Sequence, residues 1–430
     1  MALSKHQWQS EEEFTRPKYQ VQVSDTGEES VSITHVVHTI RMGDVEDPDL
    51  MVAQPIWEWQ ETEAGKWIME NSNPAPSWHR NNDLYDYSYV YQIRAYLTHK
   101  QLTFWKLKYE YILVTGGLGL IGHNVVDRLQ RTGHRVAITD IRTNYGIIPQ
   151  DEIDYLMTER LKKIQPGSIH AIDISSESID WLFGRYNFDI VIHMASFPRQ
   201  KVVNANPTMG AKTMMEGLLN LCEVSKKHKV KKFVYISSSM VYGDFTDDVT
   251  EDYNCKPQGQ YGIMKLSGEH IVKDYSRRNC FSHTIIRPSA VYGPLDVEDR
   301  VIAKFMLTAM RGGTLNVNGA NETLDFTYVE DAADGIVAAA LSDNTENKTY
   351  NITKSHSRTL LEAAQLALKL AGGGTLVVKD KDADFPSRGA LNIDAARKDF
   401  GYDPKVDVEE GFQKYYDWLS TSSYWQDKIK

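Results

Sequence analysis

From Tyr111 onward, short apolar runs alternate with longer amphipathic segments. The runs at 111–115, 135–140, 168–172, 188–193, 232–237 and 283–287 each predict a strand, and the segments between them carry apolar residues at helical spacing. Strands that are apolar nearly throughout are buried on both faces. The pattern therefore predicts a parallel sheet with helices on either side. After Pro294 the alternation loosens, and LLEAAQLALKLAGG and EEGFQKYYDWL read as helices.

The first 108 residues have another texture. QVQV and SVSITHVVHTI, on either side of the polar DTGEES, predict two strands. PIWEWQETEAGKWIMEN brings Ile56, Gln60, Ala64, Trp67 and Ile68 near one helical face, with Pro55 near the start, and predicts a single helix. YSYVYQIRAYLTHKQLTFWKLKYE alternates in period two around His99-Lys100-Gln101 and predicts a hairpin. Three parts result: a small α+β domain at 1–108, an α/β domain with a parallel sheet covered on both faces at 109–294, and a smaller part mainly C-terminal to it at 295–430. Almost no linker precedes Tyr111, so the small domain is expected to pack against the main body.

Composition narrows the class. The chain has 430 residues and a net charge of -10, which argues against a nucleic-acid partner. The basic run KKHKVKK at 226–232 reads as a solvated helix end. Cys222, Cys255 and Cys280 have no metal-ligand spacing and read as free thiols in a reducing compartment. The opening MALSKHQWQSEEEF is too polar for a signal peptide, and no apolar run is long enough to span a bilayer. The expectation is a cytoplasmic protein with no metal and no membrane partner. Six of the nine tryptophans fall in the first 108 residues and read as core rather than as a ligand cage.

Candidate chemistry begins at YILVTGGLGLIGHNVV, a strand, a glycine-rich turn and a helix start. Gly116 permits the tight turn, Gly119 lets a pyrophosphate approach the backbone, and Gly122 lets the helix pack on the strand. Asp140 ends the next strand, where a carboxylate holds ribose hydroxyls and repels a 2′-phosphate. This favours NAD over NADP. Further on, QYGIMK sets Tyr261 and Lys265 one helical turn apart on the same face. A free tyrosine titrates near pH 10. A neighbouring ammonium and a cationic nicotinamide would favour the phenolate and make Tyr261 a usable base. Ser238, at a strand end in YISSSMVYG, could hydrogen-bond the same substrate oxygen. His193, Arg287, Tyr242 and Tyr292 read as structural residues around this site.

These residues carry a resemblance. From about 111 to 425 the chain resembles an extended short-chain dehydrogenase/reductase of the NAD-dependent nucleotide-sugar epimerase/dehydratase group, through TGGLGLIG, Asp140, AIDIS, VIHMAS, SSSMVYG, YGIMK, RPSAVYGP and LDFTYVEDAADG. The resemblance implies a Rossmann-type doubly wound parallel sheet of seven strands at 109–294, a smaller C-terminal substrate-binding domain at 295–430, and often a homodimer. It implies a cofactor site of Gly116, Gly119, Leu120, Ile121, Gly122, Asp140, Asp173, Ile174, Tyr261 and Lys265, and a catalytic set of Ser238, Tyr261 and Lys265.

Several reactions share this first step. Dehydratases of the group typically carry Asp-Glu just after the catalytic hydroxyl, and decarboxylases a Glu just before the VYG segment; here Ser239 and Met240 stand there. Met240 cannot move a proton. An epimerase is favoured, with a reductase or dehydrogenase of a sugar or other small hydroxy compound as the alternative. An NAD-binding body serving a partner-binding N-terminal domain is a third reading, and the intact Ser238, Tyr261 and Lys265 speak against it. The substrate is expected to be a nucleotide sugar. Two positions that usually touch its diphosphate hold Ala290 and Leu324 instead of Asn and Arg. Arg199, Ser239, Arg300 and Arg388 are the remaining candidates for substrate contacts, and Met214 stands where the group often has an asparagine.

Overall fold

A computed structural model describes residues 18–23, 29–42, 47–82, 89–108, 110–144, 148–165, 168–197, 199–383 and 385–429. The chain forms two compact units, one built chiefly from the residues up to Glu110 and one from Tyr111 onward.

In the first unit, β1 (Lys18–Val23), β2 (Glu29–Met42), β3 (Ser77–Asn82) and β4 (Tyr89–Leu97) form an antiparallel sheet in the order β1-β2-β4-β3. Val37, Ile40, Trp59, Ile68, Ile93, Ala95, Leu97 and Trp105 form its core. Two expectations are corrected. The single helix is two, Ala53–Glu61 and Glu63–Asn71, because Thr62 is extended (φ -66, ψ 158) and its hydroxyl caps Gly65 N. The hairpin is a strand followed by the helix His99–Lys108. Thr98 and Gln101 cap that helix reciprocally: Gln101 N donates to the Thr98 hydroxyl and Thr98 N donates to the Gln101 side chain. The local capping box thus overrides the alternation. Leu102 and Trp105, three apart, bury the helix's inner face.

The second unit holds β5 (Tyr111–Thr115), β6 (Arg135–Thr139), β7 (Ser168–His170), β8 (Ile190–His193), β9 (Lys232–Ile236), β10 (Ser282–Pro288) and β11 (Lys348–Ile352) in one sheet of order β11-β10-β9-β8-β5-β6-β7. The pairs from β11 through β5 are parallel. Burying both faces of these strands makes them continuous apolar runs; each fully buried Ile, Val, Leu or Phe contributes about 1.5–3 kcal/mol. One face packs on Leu182, Phe183, Leu221 and Val272, the other on Val125, Leu129, Ile336 and Ala339.

β11 lies beyond Pro294, and the helices Val329–Leu341 and Asp394–Phe400 pack beside it, so the later chain returns to complete the sheet. The remainder forms a second core of Ile302, Phe305, Met306, Leu315, Phe326, Phe412, Tyr415 and Trp425. The basic run at 226–232 is largely neutralised locally: Lys226, Lys227 and Lys231 pair with Glu223, Asp180 and Asp189, and Lys232 is buried on carbonyls of Ala339 and Ser342. Among the described residues, no helix is long and apolar enough to cross a membrane, and no group of three or more His, Cys, Asp or Glu could hold a metal ion.

Candidate active site

The strand order reverses between β5 and β8, and ligands of such sheets bind in the crevice beyond that switch point. The crevice here is a cleft of about 1260 Å³. That exceeds the ~300–1,000 Å³ of a pocket for one drug-sized ligand and suits a dinucleotide beside a second molecule.

The glycine turn forms its cofactor end. Gly116 has φ +68, and a side-chain carbon there would stand 2.7 Å from Ala195 N. At Gly122 such a carbon would stand 2.3 Å from Gly116 O. Only glycine lets the turn approach the end of β8 and lets the helix Leu120–Arg131 start against the turn. Leu120 and Ile121 line the cleft there. Asp140 joins this turn to the end of β6: its carboxylate accepts from Leu118 N at 3.0 Å and from Arg142 N at 2.8 Å. Asp173 accepts from the Ser175 amide and hydroxyl, both at 2.8 Å, and Ile174 beside it is buried. Helix N-terminus, bare glycine backbone and a carboxylate at the end of β6 together fit NAD.

The second cluster stands across the cleft. Gly259–Arg277 is a helix, and spacing of four puts Tyr261, Lys265 and Glu269 on one face. Tyr261 and Ser238 both line the cleft. Burial raises the Tyr261 pKa, while the Arg300 charge and the nearby Ser238 hydroxyl draw it down. Lys265 Nζ donates to Ile236 O at 2.8 Å and lies 5.8 Å from the Tyr261 ring centre. Burial is the largest influence on Tyr261, and the charge that opposes it is that of Arg300 rather than of Lys265. Burial also lowers the Lys265 pKa to about 7, and Glu269 opposes that shift.

This makes a pH prediction. An unfolded lysine keeps its proton to about pH 10.4. Between about pH 7 and pH 10 the unfolded chain holds a proton that folded Lys265 has released, so this group's contribution to stability increases with pH, at up to ~1.4 kcal/mol per unit. Urea unfolding of the NAD-free protein from pH 6 to pH 9 should show a flatter rise in Lys265→Met than in the unaltered chain. Equal slopes would contradict the burial of this amine.

Other site candidates separate. Ser239 donates to Ser289 Oγ at 3.1 Å, and Met240 is buried beside it. Arg199 donates to Asp299 O at 3.0 Å and pairs with the Asp299 carboxylate at 2.7 Å, so its charge is already matched. Arg300 is only 3.7 Å from Asp296, at the edge of an ion pair. Arg388 lines the cleft; burial and the nearby Arg300 charge lower its pKa to about 10, and its Nε has no hydrogen-bond partner among the described residues. Arg300 and Arg388 thus set two positive charges on the lining of one cleft. Leu324 also lines the cleft, and Ala290 has φ +37, in the left-handed region.

His193 bonds Thr115 Oγ1 at 2.7 Å, and burial lowers its pKa to about 3, so it stays neutral. Met214 is buried in a π-helical turn, Lys212–Glu216, against Phe197, Val202 and Val203. The sequence reading missed Glu269. It lies four residues past Lys265 and receives Arg287 at 2.9 and 2.7 Å and the Ser237 hydroxyl at 2.5 Å. The repeat of four from Tyr261 was the available signal.

A doubly wound sheet with a glycine turn and a Ser–Tyr–Lys cluster at its switch point defines the short-chain dehydrogenase/reductase class. Residues 112–353 match the model of the NAD dependent epimerase/dehydratase family, and the chain belongs to that family. NAD is the family's cofactor. The chain is 28% identical to a putative UDP-glucose 4-epimerase of Methanocaldococcus jannaschii over 73% of this chain and 99% of that one. It is 27% identical to a UDP-glucuronic acid decarboxylase of Xenopus tropicalis over 70% of each chain. Among solved structures, UDP-glucuronic acid 4-epimerase of Bacillus cereus, in complex with UDP-glucuronic acid and NAD, shares 26% identity at a TM-score of 0.67, covering 72% of this chain and 99% of that one.

Proposed function

We propose that the chain is an epimerase of a nucleotide sugar. The observation that carries this is the placing of Tyr261 and Ser238 together on the cleft, with buried Met240 where an added acid–base group would be needed. When bound, NAD would supply the hydride acceptor for a sugar carbon and the donor that returns the hydride to the opposite face once the keto sugar has turned. Tyr261 accepts the proton of the hydroxyl on that carbon and later returns it; Ser238 holds the same oxygen. The positive charge of the oxidised nicotinamide offsets the burial that otherwise keeps Tyr261 protonated. Lys265, anchored on Ile236 O, would hold the nicotinamide ribose. Arg300 and Arg388 would hold the diphosphate in place of side chains at Ala290 and Leu324. Met240 and the occupied Ser239 hydroxyl supply no group to eliminate water or assist decarboxylation. Purified protein incubated with UDP-glucose, UDP-glucuronate and related nucleotide sugars, without added NAD, should yield an epimer resolved by chromatography. Net accumulation or consumption of NADH would favour a reductase or dehydrogenase instead.

A further inference from the structure

Arg160 stands on the helix Gln150–Lys163, 7% exposed, at the floor of the cleft. Its Nη1 donates to Leu118 O at 3.0 Å and its Nη2 to Leu295 O at 2.7 Å. Leu118 is in the glycine turn. Leu295 opens the segment that ends in Arg300. One guanidinium therefore ties the main chain of the glycine turn to the main chain of the segment that carries Arg300.

The same helix holds that segment a second time: buried Glu152 accepts from Glu298 N at 2.7 Å. Leu295 sits at φ +70, a left-handed conformation that a branched side chain keeps only when its surroundings impose it. Between the two holds lies Asp296, which accepts from Val297 N at 2.9 Å and stands 3.7 Å from Arg300 Nε. Arg160 and Arg300 both act on the Asp296 carboxylate electrostatically, giving a run of charge, plus–minus–plus, from the glycine turn to the far half of the cleft.

We propose that Arg160 is a positioning residue that couples the two halves of the cleft: a dinucleotide on the glycine turn fixes Leu118, and through Arg160 it fixes the segment that presents Arg300 to a nucleoside diphosphate. This rests on the reading of Arg300 as a diphosphate contact. Coupling of this kind is reciprocal, so each ligand tightens the other by the same factor.

The test is equilibrium dialysis of the NAD-loaded protein against labelled NAD, with and without saturating UDP as the diphosphate probe. In the unaltered chain UDP should tighten NAD by about 5-fold or more, the low end of coupling between sites. Arg160→Gln, which cannot donate to both carbonyls as a fork, should bring that ratio near one. Arg160→Lys keeps a buried cation with a single donor group and should do the same; it serves where the glutamine variant does not fold. A purely structural defect would weaken both ligands and leave the ratio unchanged. An unchanged ratio in a folded variant, or a ratio of one in the unaltered chain that binds both ligands, overturns the coupling. Absence of UDP binding to the unaltered chain, or UDP affinity indifferent to Arg300→Ala, overturns the diphosphate reading and the coupling with it.

Discussion

Tyr261→Phe should lower kcat by about 10²- to 10⁴-fold, the range that positioned acid–base groups contribute. KM, bound NAD and melting temperature should change little. The phenyl ring keeps its packing against Phe197, Val202, Val203 and Met214, and only the hydroxyl near Ser238 is lost. The pH profile adds a second readout. The working form is the deprotonated one, and burial raises the Tyr261 pKa, so kcat/KM should climb with pH along an acid limb. Steady-state rates on whichever nucleotide sugar turns over, with NAD content measured after denaturation, decide the matter. A variant that keeps a tenth or more of the rate would remove Tyr261 as the base.

The largest effect on stability should come from Arg287→Ala, at about 3–5 kcal/mol. Arg287 is buried and donates to both oxygens of buried Glu269, to the Tyr242 hydroxyl at 2.9 Å and to Glu251 O at 2.9 Å. Its removal leaves the buried carboxylate with the Ser237 hydroxyl and, at 3.9 Å, the half-exposed Lys273 Nζ, and burial of a poorly paired charge is the costly outcome. Against a typical total of 5–15 kcal/mol, that loss would place the variant near unfolding. Replacing both partners, as Arg287→Met with Glu269→Leu, should recover much of the loss because no lone charge remains. Urea unfolding at pH 7 measures both. A cost under about 1 kcal/mol for the single change would mean that water reaches the pair.

The main body could be read from the sequence because its strands are buried on both faces and its glycine turn follows one of them. The pattern of apolar runs located six strands of the sheet directly. Asp140, Ser238, Tyr261 and Lys265 stand around one cleft because each follows or faces the end of a strand. The front unit was harder. Period-two alternation in YLTHKQLTFWKLK is compatible with a strand, and only the Thr98–Gln101 cap decides for a helix. Arg199 looked available from its place after β8, but its partner Asp299 is a hundred positions away and no local pattern announces the pair. Arg160 and Glu152 were missed for the same reason: their partners are backbone groups of a distant loop.

Asn351, on the last strand of the sheet, accepts from Tyr242 at 2.7 Å, donates to Val249 O and Asn392 O, and through its amide engages Glu251. Tyr242 in turn supports Arg287 and Glu269, beneath Lys265. During synthesis from the N-terminus, every residue of the Ser–Tyr–Lys cluster leaves the ribosome well before Asn351 does. The nascent chain can therefore form a sheet with an open edge and a polar core still lacking its partners. That non-local closure is the kind of step that folds slowly and exposes an unpaired strand edge while it waits. Competence for catalysis should thus arrive late and abruptly, with the segment around β11 acting as the keystone of the finished enzyme.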